Sequence, residues 1–193
     1  MEETLVFIDA GFLSKLSKHF GNGKYLTYDI LKFAKNLAKK QNLICKQIFY
    51  YTAPPFQSPI PSIIENKKKE NYDKFIRKIS KNQDILIREG RCQRIKNKQD
   101  FEFCQKGVDT LLTMDLTSVP INYPQIKKII LILCDSDFVP IINNIKNKNI
   151  KTILYTYYEK SRKSIFSTSN DLIKSAYNYI LLTKQDFENS PLK

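Results

Sequence analysis

The chain holds a single histidine, four cysteines, five glycines and eight prolines in 193 residues. Each shortage removes a class of protein. His19 is the only imidazole, and Cys45, Cys92, Cys104 and Cys134 show no C-x-x-C pairing, which argues against a structural zinc site. The same shortage weakens Ser- or Cys-based triads, whose nucleophile takes its base from histidine. Any hydrolysis is therefore expected to rest on carboxylates and a metal. Glycine and proline are too sparse for a collagen-like or linker-dominated chain. No apolar stretch approaches the roughly 20 residues of a membrane-spanning helix; the longest, 129–134, has the length of a strand. Met1-Glu-Glu-Thr4 is acidic where a secretion signal is basic. The expectation is a soluble, cytoplasmic chain with reduced thiols and no membrane partner.

What is present is a globular composition, 42% hydrophobic and 26% charged, at about the length of one domain. Basic residues outnumber acidic ones 32 to 19, for a net charge of +13. Such an excess favours a polyanionic partner, with nucleic acid the first candidate. Nearly all of it is lysine in a chain also rich in Asn and Ile, a bias that an AT-rich genome produces unaided. Only Arg77, Arg88, Arg91, Arg94 and Arg162 offer fork-like phosphate contacts.

Apolar periodicity alternates strands with helices. Strands are expected at 5–8, 43–52, 84–91, 129–133, 152–157 and 179–182, and helices at about 30–38, 64–80, 108–116, 139–146 and 171–176. Thr27 is a candidate cap for the first of those helices. Four prolines in 53–61 mark an extended loop, and 92–106 reads as a polar hairpin or loop. Fully apolar strands alternating with helices predict an α/β fold, three layers α/β/α around a mostly parallel sheet. One domain is expected over 1–185, with 186–193 as a C-terminal tail. In such sheets ligands bind beyond the C-terminal strand ends.

Carboxylates stand at those ends. Asp9 follows the first strand, Asp135 and Asp137 follow the strand at 129–133, and Asp109 opens a helix. If the chain stays extended, Asp135 and Asp137 point to one side. Carboxylates gathered at one sheet edge raise each other's pKa unless a cation intervenes. Ligation by oxygen alone suits Mg²⁺ or Mn²⁺, which activate water and neutralise charge on a phosphodiester. The plainer alternative is that Asp9 and Asp109 cap helices while Asp135 and Asp137 start a turn.

Phe7-Ile-Asp-Ala-Gly-Phe-Leu13, Gln105-Lys-Gly-Val-Asp-Thr-Leu-Leu112 and Leu133-Cys-Asp-Ser-Asp-Phe-Val-Pro140 resemble the three signature blocks of the NYN domain family. Tyr50-Tyr-Thr-Ala-Pro-Pro55 and Arg88-Glu-Gly-Arg91 are similar to its bacterial single-domain branch. The resemblance runs from about Leu5 to Leu182 and implies a PIN-like, metal-dependent nuclease, an endoribonuclease. It places the family's catalytic and metal-binding aspartates on Asp9, Asp109, Asp135 and Asp137, and a basic, phosphate-contacting position on Lys106. Arg88, Arg91 and Arg94 are further candidate nucleic-acid contacts. Asp115 matches a family position but lies about 240° around the helix from Asp109, so it reads as supporting structure. Cys134 and Asn149 stand where the family has Gly, and Tyr177 where it has Asp.

Several other readings compete. Gly21-Asn-Gly-Lys24 lacks the G-x-x-x-x-G-K-[ST] spacing of a phosphate loop and reads as a turn. An aspartyl-phosphate phosphatase would carry a second Asp where Gly11 stands and an acid where Val139 stands. The main alternative is a non-catalytic RNA-binding or assembly module with a structural cation site. Tyr155, Tyr157 and Tyr158 beside Lys160, Arg162 and Lys163 are the residues that would stack on unpaired bases in that case. His19 is read as an ordinary surface or half-buried residue. The partner expected is nucleic acid, with RNA preferred over single-stranded DNA on the resemblance alone; a homo-oligomer is compatible with the sequence.

Overall fold

Strands apolar on both faces need helices on both sides, and this chain supplies them in alternation. The computed structural model describes residues 1–96, 101–159 and 166–192. The order begins β1 (Glu2–Asp9), α1 (Ala10–Phe20), α2 (Ile30–Lys40), β2 (Leu43–Thr52), α3 (Ile63–Ile79) and β3 (Ile85–Glu89). A hairpin of β4 (Arg91–Lys96) and β5 (Phe101–Lys106) leads into α4 (Val108–Asn122) and β6 (Lys128–Ile132). A 3-10 turn at Ser136–Phe138 is followed by α5 (Val139–Asn147), β7 (Lys151–Thr156), α6 (Asn170–Ser175), β8 (Asn178–Leu181) and α7 (Lys184–Glu188).

The central sheet has the order β3-β2-β1-β6-β7-β8, with every neighbouring pair parallel. Side chains alternate across it. Val6, Ile8, Ile48 and Ile130 join Leu16, Phe33 and Leu37 of α1 and α2 in one core. Leu5, Phe7, Phe49 and Leu131 join Leu112, Leu116 and Ile142 of α4 and α5 in the other. The three-layer α/β/α arrangement expected from the sequence is the one observed. From β1 the chain winds outwards through β2 and β3, then returns to β6 on the other side of β1 and winds outwards again. The strand order thus reverses between β1 and β6, at whose carboxyl ends stand Asp9 and Asp135. Among the described residues no helix is long and apolar enough to cross a membrane.

The structure departs from the periodicity in places, each with a local cause. Residues 10–20, given no element in the sequence reading, form α1, capped by Asp9. Asp29, not Thr27, caps α2, accepting from the Lys32 amide at 2.9 Å. The strand expected over 84–91 stops at Glu89, and Arg91 begins the hairpin instead. Gly90 lets the two meet: a Cβ there would stand 2.5 Å from the Lys106 carbonyl oxygen. Asn149 takes the place of a family glycine by adopting a left-handed φ of 61°, which Asn tolerates better than most residues. Residues 186–193, expected as a tail, instead belong to the body as far as Ser190. Asp186 and Phe187 are buried, Lys40 pairs with Asp186, and the Phe187 ring lies 5.0 Å from Phe33.

Candidate active site

Asp9 is set at the end of β1 by strand pairing on both sides and then held by the helix it starts. Its Oδ1 accepts the amide hydrogens of Gly11 at 2.8 Å and Phe12 at 3.2 Å, leaving Oδ2 unused by the cap. The helix-cap alternative is therefore correct for Asp9, and it aids the other reading, because capping fixes the carboxylate at the sheet's switch point. Burial pushes its pKa up; the two amides oppose this, and the nearby Asp109 charge adds to it.

Asp109 does not cap its helix. Gly107 does, with a left-handed φ of 82°, and this bend sends the chain from β5 into α4 so that Asp109 falls in the first turn. Its pKa is raised by partial burial first and then by Asp135 and Asp137. Asp135 and Asp137 do not share an extended strand. Asp135 Oδ1 accepts the Asp137 amide at 2.9 Å, closing an Asx-type turn that bends the chain into the 3-10 segment. Both remain exposed. Cys134 sits between the two groups: its thiol is pushed up to about 11 by burial and by the charges of Asp9 and Asp135.

The basic candidates divide. Lys106 and Arg91 are cross-strand partners at the base of the hairpin, both exposed, one residue before Gly107 and one after Gly90. Arg94 lies farther out, its guanidinium 5.0 Å from the Phe56 ring and 4.5 Å from that of Phe101. Arg88 is committed elsewhere. Its Nε and Nη2 grip both oxygens of Asp115, so its fork is not presented to a phosphate. Asp115, in turn, also accepts from the Tyr51 hydroxyl at 2.9 Å. That partly buried clamp accounts for the side of the helix on which Asp115 falls.

The tyrosine platform is not assembled as the sequence suggested. Tyr155 is 1% exposed and donates to the Leu37 carbonyl, and Tyr157 packs in an aromatic group with Phe20 and Phe166; Lys160, Arg162 and Lys163 lie outside the described residues. His19 is exposed, packs against the same group and pairs with Glu159 at 3.0 Å. Sequence reasoning missed the other wall of the site. Lys15 and Ser14 of α1, Tyr72 and Lys68 of α3, and Gln105 line a cleft that opens beside Gly11. With α1 unread, nothing in the pattern could bring Lys15 next to Asp9.

A family model for the NYN domain matches residues 3–183. The chain belongs to the NYN domain family. No functionally curated protein matches it. Among solved structures, a protein of unknown function from Vibrio parahaemolyticus RIMD 2210633 is similar in fold, with a TM-score of 0.58 and 18% identity, covering 96% of this chain and 95% of that one. The family indicates a nuclease-like function for this NYN domain.

Nucleases of this kind usually use divalent metals, so the donor set needs testing against one. Four carboxylates and no imidazole suit a hard cation such as Mg²⁺ or Mn²⁺. Burial raises Asp9 and Asp109 first and the neighbouring carboxylate charges add to it; a bound cation would offset both. In donor chemistry the NYN site therefore fits. Among the described residues, however, no three His, Cys, Asp or Glu side chains are grouped closely enough to cage an ion by themselves. Mg²⁺ is commonly held by only one or two carboxylates together with waters and substrate phosphate, which accords with this open arrangement.

Proposed function

We propose that this NYN domain is a metal-dependent endoribonuclease. The observation that carries the reading is the convergence, at the switch point of the sheet, of Asp9, Asp109, Asp135 and Asp137 within a chain of net charge +13. Asp9 through Oδ2, Asp109, and the Asp135/Asp137 pair are the residues that would hold Mg²⁺ or Mn²⁺. The bound ion would supply a nucleophilic water and charge neutralisation at the scissile phosphate. The amides of Gly11 and Phe12 keep the Asp9 carboxylate oriented, and the Asp137 amide does the same for Asp135. Lys106 and Arg91 hold the phosphates on either side of the bond, with Arg94 reached farther along the hairpin. Arg88 acts by bracing β3 against α4 through Asp115, not by touching substrate.

The second reading is a non-catalytic RNA-binding or assembly module with a structural cation site, which a net charge of +13 would equally serve. Labelled single-stranded and structured RNA and DNA, incubated with Mn²⁺, Mg²⁺ or EDTA, separate the two. Cutting of RNA that disappears with EDTA and in Asp135→Asn supports the nuclease and identifies its substrate. Binding of intact RNA by both proteins, with no cutting under any metal, overturns it in favour of the binding module.

A further inference from the structure

The cleft beside Asp9 has a feature that packing alone does not require. It measures about 650 Å³, within the ~300–1,000 Å³ typical of small-molecule sites, and its walls come from α1, β2, α3 and β5. Tyr50 lines it from the sheet side. The residue is only 7% exposed, yet its hydroxyl makes no hydrogen bond among the described residues, whereas buried tyrosine hydroxyls ordinarily find a partner. Among the described residues Thr152 is the one polar side chain fully sealed from solvent without a partner, so the Tyr50 hydroxyl is not fully sealed, and Tyr50 lines both this cleft and the pocket adjoining it.

The other walls fit one kind of occupant. Tyr25 is 65% exposed and Tyr72 of α3 lines the same cleft, held through its hydroxyl by Glu89; one face of each ring carries a lysine, Lys18 Nζ 6.0 Å from Tyr25 and Lys69 Nζ 5.9 Å from Tyr72, which leaves the other face for a base. Two aromatic faces at the edges of a cleft suit a flat heteroaromatic ring. Lys15 and Lys68 are exposed at the same cleft and neither forms an ion pair among the described residues, so their charge is available to an anion. Gln105 closes the end towards the catalytic aspartates, its Oε1 next to Gly11. An aromatic ring flanked by negative charges and adjoining a phosphodiester-cleaving centre is a nucleotide in a single strand.

We infer that this cleft is a subsite for one unpaired nucleobase next to the scissile phosphate, with Tyr25 and Tyr72 stacking on the base, the Tyr50 hydroxyl bonding its edge, and Lys15 and Lys68 taking the adjoining phosphates. The inference rests on the nuclease reading and makes the substrate single-stranded, because a base paired in a duplex cannot enter.

Binding by the full chain to fluorescent single-stranded RNA in EDTA, followed by anisotropy, tests it apart from cleavage. Tyr25→Ala is expected to weaken binding about 5- to 100-fold, the usual range for one lost stacking contact. Tyr50→Phe, which keeps the ring in the core and removes only the hydroxyl, is expected to weaken it several-fold with an unchanged melting temperature. A strand carrying abasic nucleotides should bind wild-type protein less tightly, and Tyr25→Ala should cost nothing further on that strand. Equal affinity of wild-type protein for intact and abasic strands, or wild-type affinity in both variants, overturns the subsite whether or not the protein cuts RNA. Base-dependent binding in a protein that never cuts upholds the subsite and overturns only the nuclease.

Discussion

Arg88 of β3 and Asp115 of α4 lock together the two elements that flank the hairpin, with Nε to Oδ2 at 2.9 Å and Nη2 to Oδ1 at 2.7 Å. Asp115 is the less exposed partner, at 14% against 40% for Arg88, and it also serves Tyr51. Arg88→Ala therefore strands a mostly buried carboxylate. Allowing for solvent screening on the Arg88 side, the expected cost is about 1–3 kcal/mol, read as a fall of several degrees in melting temperature. RNA affinity should fall less than in Lys106→Ala. A variant as stable as wild type with strongly reduced RNA affinity would return Arg88 to the phosphate-contacting set.

Asp9→Asn keeps a good helix cap and removes a disfavoured charge. Burial raises the folded-state pKa of Asp9 above its ordinary value of 3.8. Below 3.8 both states are protonated and the charge costs nothing; as pH rises past that value the unfolded chain ionises first, and the penalty grows until the folded carboxyl ionises as well. In metal-free buffer the variant is thus expected to melt higher than wild type at neutral pH, with the gap closing as pH falls towards 3.8. Thermal melts at a series of pH values check this, and a gap that widens on acidification would contradict it. Cleavage should be lost in the same variant, an exchange of stability for function that is common at active sites.

Metal addition should act in the opposite direction. Mn²⁺ is expected to raise the melting temperature of wild-type protein in proportion to the logarithm of its concentration above the dissociation constant. Asp9→Asn and Asp109→Asn should respond less. An identical shift in all three proteins would place the ion elsewhere.

Lys106→Ala and Arg91→Ala each remove one proposed phosphate contact at the base of the hairpin. Each should reduce the slope of log affinity against log salt by about 0.7 for single-stranded RNA, without altering preference among sequences. Titrations at several salt concentrations measure the slope directly. An unchanged slope in both variants would move the backbone track away from the hairpin.

Gly107 is the pivot between β5 and the helix carrying Asp109. With φ at 82° any side chain is strained there, although a Cβ would meet no neighbour within 4 Å. Gly107→Ala is expected to cost about 1 kcal/mol or more in stability and to lower cleavage further by shifting Asp109. Denaturant midpoints and rates, measured together, separate the two effects.

The core strands were legible because each is a local pattern. Leu43–Thr52 was read to the residue, and the strand at 129–133 differs from the observed one by a single position at each end. The helix at 64–80 was similarly close, its start set by the Ser62/Glu65 capping box. α1 was legible as well: Asp9 is a good cap and Phe12, Leu13, Leu16 and Phe20 stand at helical spacing, with only Gly11 weakening the signal. The hairpin was left undecided because its strands are mostly exposed and polar, so no buried face announces a period of two.

Sequence by itself determined the α/β class, the apolar strands, the family and the four candidate aspartates, all of which are written in runs of neighbouring residues. Tertiary structure decided the rest. It alone placed the ends of β1 and β6 side by side, took Arg88 for Asp115, and folded the last residues back so that Phe187 fills the core. It also brought Lys15, Tyr50 and Tyr72 to one cleft from three separate elements. The physical reason is the same in each case: these pairings depend on side chains far apart in the chain competing for one partner or one space, and no local periodicity records which of them wins.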